Sequence, residues 1–142
     1  MNAGFLYAIG AALTWGLVYA FDQKILSDSA PLAYLFINSL LSAILVLPFL
    51  FFDHGSIRSI LSSGRTILLL IVLSVILATV ANFLIFSGIK LLGADSASII
   101  EIAYPFFVVF FSYFIFRSTP NLYFFLGGAL IFIGSAIIIK FA

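Results

Sequence analysis

Residues 82–116, NFLIFSGIKLLGADSASIIEIAYPFFVVFFSYFIF, decide the fold. The stretch begins in one apolar run, crosses a short polar link containing Lys90, Gly93 and Asp95, and enters a second apolar run. A helix of about 20 predominantly apolar residues crosses the hydrocarbon core of a bilayer, and both arms have that length. So short a link between them makes an antiparallel helical hairpin. Inside the second arm lies Glu101, where an ionised side chain costs at least about 2.5 kcal/mol. An acid placed there against such a cost is the first candidate for function.

Outward from the hairpin, five apolar runs emerge: residues 4–21, 31–52, 66–92, 96–116 and 122–139. Every other charged side chain lies between runs or at their ends. The chain of 142 residues is 65% hydrophobic and 8% charged, with 18 Phe and a mean hydropathy of +1.34. A soluble domain carries about 25% charged residues, so the chain is an integral membrane protein. Backbone polar groups in lipid must be satisfied within each segment, which selects helices, and the runs lack the alternation of a barrel. The fold class is therefore an all-α bundle of five transmembrane helices in one domain spanning residues 1–142.

The punctuation fits. Pro31 suits the first turn of the second span, and Pro120 that of the fifth with Thr119 as cap. Gly93 can close the third span in a left-handed conformation, and Asp95 can cap the fourth. The link 53–65 is the longest, with room for a short interfacial turn. The first run does not read as a signal peptide: it lacks a basic start and carries Trp15 and Tyr19 where a small-residue cleavage site would be expected.

Composition also excludes. A net charge of +1 gives no field for nucleic acid, and the absence of Cys removes disulfides, thiolate metal sites and cysteine nucleophiles. His54 stands alone in a loop. No nucleophile–base set, metal spacing or phosphate loop occurs, so neither an enzyme nor a cofactor is expected.

In the fourth span, Ser98, Glu101, Pro105, Val108 and Ser112 form one partly polar stripe, with Tyr104 beside it. Pro105 cannot donate to the carbonyl of Glu101, which predicts a kink there. Glu101 reads as a site for a proton, a cation or a substrate amine; the alternative is a local ion pair with Lys90. Trp15 and Tyr19 lie a turn apart in the first span, and Asn38 and Asn82 are amides inside the second and third. Together with Glu101 they predict a shared polar interior. Gly4, Ala8, Ala12, Gly16 and Ala20 form a flat ridge at fourfold spacing, and Gly127, Gly128 and Gly134 give the last span small residues for close packing.

The segments APLAYLFINSLLSAILVLP, NFLIFSGIKLLGADSASIIEIAYPFFVVFFSYFIF and FFLGGALIFIGSAIII resemble one EamA-type unit of the drug/metabolite transporter superfamily, over essentially the whole chain. The turn GADSAS and Pro105 carry the likeness most clearly. Two features depart. Asn38 stands where that pattern often has Arg, and Arg117 and Ser118 stand where it often has Gly-Glu. The related small multidrug transporters keep an acid in the first span, and the run 4–21 has none. The resemblance implies half of an inverted-repeat ten-helix transporter. It would work as a dimer that moves a small organic metabolite or amphipathic compound by alternating access in the cell membrane, a prokaryotic plasma membrane. A non-transporting accessory or scaffold subunit is the alternative.

Charge placement bears on the partner. One membrane face would carry Arg58, Arg65 and Arg117, the other Lys24, Lys90 and Lys140. This gives almost no positive-inside bias. Either the N-terminal amine tips the chain one way, with a second five-helix subunit as partner, or the chain inserts both ways and forms an antiparallel homodimer.

Overall fold

The computed structural model describes residues 3–50, 52, 53, 55–117 and 119–141, so His54 and Ser118 lie outside the described residues. The helices are α1 (Ala3–Asp28), α2 (Pro31–Leu50), α3 (Ser56–Leu61), α4 (Arg65–Leu92), α5 (Ala94–Glu101), α6 (Tyr104–Phe116) and α7 (Leu122–Phe141). Five spans are long and apolar enough to cross a membrane: α1, α2, α4, the interrupted pair α5–α6, and α7. The short α3 fills the link in which an interfacial turn was expected.

The first span runs seven residues beyond its expected end at Phe21. Asp22, Gln23 and Lys24 lower the hydropathy, yet no helix breaker follows until Pro31. That proline biases Ala30 away from helix, ends α1 and opens α2 at its own first position. Asp22 and Leu26, one turn apart, turn inward and are both buried. Asp22 is thus a buried acid on a continuing helix rather than a solvated charge after the helix has ended. At its far end α2 stops at Leu50 rather than residue 52, as Phe52 and Asp53 make tighter i+3 bonds to Phe49 (3.1 Å) and Leu50 (3.2 Å).

Gly93 joins α4 to α5 with φ +84° and ψ 160°, a positive-φ conformation that favours glycine but is extended rather than left-handed helical. Because α5 starts directly after it, at Ala94 rather than residue 96, Asp95 falls in the first turn and is not the cap. The amide of Ala94 instead donates to Gln23 Oε1 of α1 at 2.8 Å, so one helix caps another. At the fifth span, α7 begins after Pro120 rather than at it. Its cap is Asn121, whose Oδ1 accepts the Tyr123 amide at 3.2 Å, in place of Thr119.

The fourth span kinks where expected: Ile102 and Ala103 stay in the right-handed helical region, but the i+4 bonding breaks there, with Ala103 N–H donating to Ile100 O (3.3 Å) and Phe106 N–H to Ala103 O (3.1 Å). Pro105 supplies the cause, since its ring clashes with the carbonyl of the residue four back, Glu101. Glu101 therefore ends α5, and the expected continuous stripe is divided at the break.

The apolar core lies at one end of the bundle. Leu26 from α1, Leu35 from α2, Phe86 and Ile89 from α4, and Ala94 and Ala97 from α5 are buried together, with the Tyr34 and Phe86 rings 4.8 Å apart. The small Ala97 lets α5 come close to Gly88 of α4. Away from this end the helices part, and the first half of α1 is exposed throughout. The accessible surface is 11518 Å². A compact monomer of this mass would expose about 7,200 Å². The excess is apolar helix face, suited to lipid or to a partner. Between α6 and α7 the close approach occurs at Gly128, where a Cβ would overlap the Phe106 ring.

Candidate functional site

Where the helices part, a cleft of about 680 Å³ opens between α1, α4 and the α5–α6 break. One face of α1 forms a wall, because Ala8, Ala12, Trp15 and Tyr19 recur at helical spacing. The two alanines take little room, and the cleft occupies the space they leave. Asn82 and Phe86 of α4 face them, and Glu101 and Tyr104 close the site from either side of the break.

The focus is Glu101. The Tyr19 hydroxyl donates to its Oε2, tying α1 to the last residue of α5 across the cleft. Both side chains are half-buried. Trp15 sets its ring edge-on to Tyr19 at 6.0 Å, so an indole and a phenol stand in sequence beside the carboxyl. With α5 starting at Ala94, Glu101 lies seven residues in, about 10 Å along the helix. The alternative pairing with Lys90 does not form. The Lys90 ammonium donates to the Ser29 carbonyl at 2.6 Å and fastens α4 to the α1–α2 turn.

Five of the residues singled out from sequence thus share one cleft: Trp15, Tyr19, Asn82, Glu101 and Tyr104. Asn38 and Pro105 lie elsewhere. Pro105 lines a separate apolar groove of about 200 Å³ between α6 and α7, and its contribution to the cleft is the break it causes. Asn38 belongs to a second polar cluster at the closed end, where its Nδ2 donates to Tyr34 Oη at 3.4 Å and Tyr34 Oη donates to Asp22 Oδ1 at 2.5 Å.

Asp22 and Tyr34 are the residues that sequence reasoning missed. The signal was present: Asp22 follows Tyr19 by three and precedes Leu26 by four, which puts all three near one face of any helix that continues past Phe21. Of the small residues expected to pack, Ala8 and Ala12 line the cleft, while a Cβ at Gly16, Gly127 or Gly134 would meet nothing within 4 Å. Within one chain, those three glycines leave their faces open.

The cleft offers a carboxyl for a proton or cation, aromatic faces that attract organic cations, and an amide that can donate and accept. Among the described residues no group of three or more His, Asp or Glu side chains could hold a metal ion.

The chain matches the EamA-like transporter family over residues 2–140 and belongs to that family. Neither a curated protein nor a solved structure matches it. It is accordingly a multi-pass membrane protein of a drug/metabolite-type transporter family, whose members are transporters rather than enzymes.

Proposed function

We propose that the chain works as one half of a dimer and moves a small organic metabolite or amphipathic compound across the cell membrane by alternating access. The observation that carries this reading is the cleft of about 680 Å³ with the Tyr19–Glu101 pair at its head. Ligand sites for small molecules run to about 300–1,000 Å³ and combine apolar walls with a few convergent polar groups, as here. The cleft is open along one side, so a second five-helix unit is needed to enclose it. Transporters built from inverted repeats place substrate between the two halves. An antiparallel copy of this chain would supply the missing half, and the equal division of Lys and Arg between the membrane faces favours it. A separate five-helix subunit is the other possible partner.

Glu101 is the group that binds substrate charge or its exchanging proton, Tyr19 orients it, and Trp15, Tyr104 and Asn82 form the walls. The test reconstitutes the purified chain in proteoliposomes and measures uptake of labelled organic amines and neutral metabolites against empty vesicles. Uptake by the wild type and a loss of at least about tenfold in Glu101→Gln are expected. Undiminished uptake in that variant removes Glu101 from the pathway. If no compound moves and a second protein co-purifies, the accessory-subunit reading replaces this one. Reporters fused after the C-terminus, one active inside the cell and one outside, decide the partner: signal from both is expected of the antiparallel homodimer, and signal from one alone excludes it.

A further inference from the structure

The closed end of the bundle holds an acid that transport through the cleft does not use. Asp22 is 1% exposed, the most buried charged residue among those described. It lies among Leu26 and the other apolar residues that close the bundle. Its Oδ1 accepts from Tyr34 Oη, which in turn accepts from Asn38 Nδ2, so every donor in the cluster points towards the carboxyl. Its Oδ2 is buried and has no partner.

The charged and titratable groups around Asp22 supply no counter-ion. On α1, Tyr19 sits one turn earlier and donates to Glu101, while Lys24 and Asp28 are exposed. From α2 comes Tyr34 alone. On α4, Lys90 is committed to the Ser29 carbonyl. On α5, Glu101 is held by Tyr19 and Asp95 is exposed. A buried carboxylate without a cation is among the most costly groups a protein can hold. A metal ion needs a shell of several oxygen ligands, and the cluster offers only one carboxyl, one phenol and one amide. The missing positive charge that fits the available space is a proton.

We propose that Asp22 is a second proton-binding site, distinct from Glu101 in the cleft, which keeps its proton while the α1–α2 end of the bundle is closed. The proton sits on Oδ2, Tyr34 holds the other oxygen, and release requires α1 and α2 to separate so that water reaches the carboxyl. That this proton takes part in coupling rests on the transporter reading above; its presence on Asp22 does not.

Infrared spectroscopy of the reconstituted chain tests the site without any substrate, since a protonated carboxyl has its own C=O stretch. At neutral pH Glu101→Gln should keep this band, and the double variant Asp22→Asn/Glu101→Gln should lack it. In deuterated water the band should shift only slowly, as expected of a proton shut away from solvent. No such band in Glu101→Gln, its persistence in the double variant, or immediate exchange in Glu101→Gln would overturn the proposal. Should Asp22→Asn fail to fold, Tyr34→Phe serves instead. Loss of one donor should move the same band to the higher frequency of a less hydrogen-bonded acid, and an unmoved band counts against the assignment. Uptake measured alongside separates the two readings: an intact band without uptake removes only the transport role, and uptake without the band removes only the proton site.

Discussion

The bond between Tyr19 and Glu101 joins α1 to the end of α5 across the cleft, and its worth can be isolated by a double-mutant cycle of Tyr19→Phe and Glu101→Ala. Hydrogen bonds to charged groups contribute about 1.5–3 kcal/mol in soluble proteins. Between membrane helices such cycles average about 0.6 kcal/mol and reach about 1.7, because the separated helices find other partners. Glu101 is half-buried and ends its helix beside a break, so it has few alternative donors within α5. A coupling in the upper half of the membrane range, about 1–1.5 kcal/mol, follows. The assay is unfolding from mixed micelles on titration with a denaturing detergent, followed by helical circular dichroism. Trp15, the only tryptophan, stands 6.0 Å from Tyr19 and reports on the cleft by its fluorescence in the same titration. Independent sites add within about 0.5 kcal/mol. Additivity within that margin, with Trp15 emission unchanged in Tyr19→Phe, would refute the idea that this pair holds the two helices together.

Two further predictions concern the frame around the site. Gln23→Leu removes the acceptor of the Ala94 amide and should cost about 1 kcal/mol, as loss of a helix cap does, while Lys24→Leu next to it should cost far less; detergent unfolding reads both. Arg117 closes α6 in the left-handed region, at φ 52° and ψ 30°, where a side chain is disfavoured by about 1–2 kcal/mol. Arg117→Gly should therefore raise the unfolding midpoint by the equivalent of about 1 kcal/mol, and an unchanged or lower midpoint would count against strain there.

The five spans were legible because hydropathy over about 20 residues depends little on detail. What lay outside its reach were features that depend on where a helix stops. The first span seemed to end at Phe21 because Asp22, Gln23 and Lys24 are polar, but polarity does not break a helix; Pro31 does. That single boundary concealed Asp22 as a buried acid, and with it the Tyr34 cluster. Gln23 was concealed for the same reason: a cap supplied by another helix leaves no local spacing to recognise. In the fourth span Pro105 announces a disturbance at the Glu101 carbonyl, and the kink at Ile102 and Ala103 is that disturbance. Within the candidate site, Trp15, Tyr19, Asn82, Glu101 and Tyr104 could each be picked out as polar or amphipathic groups in apolar runs. Asn38 satisfied the same criterion and went elsewhere, since the sequence pattern gives the face of a helix but not the neighbour that face meets.

The two acids are linked through α1. Tyr19 and Asp22 lie three residues apart on it, about 4.5 Å along the axis and on nearly the same face. Each belongs to a pair completed by another helix: Tyr19 by Glu101 at the end of α5, and Asp22 by Tyr34 of α2. A movement of α5 alone changes only the first pair, and a movement of α2 alone only the second. A movement of α1 changes both at once, since O–H···O bonds span only about 2.5–3.0 Å and a shift of about 1 Å stretches either beyond that range. Near its C-terminal end α1 is also held by the Gln23 cap on α5, whereas its N-terminal half is exposed. The buried end of α1 thus packs into the closed end of the bundle, and its exposed half forms a wall of the cleft. Were the carboxyl in the cleft and the carboxyl in the core to act on one another, α1 is the helix both pairs share.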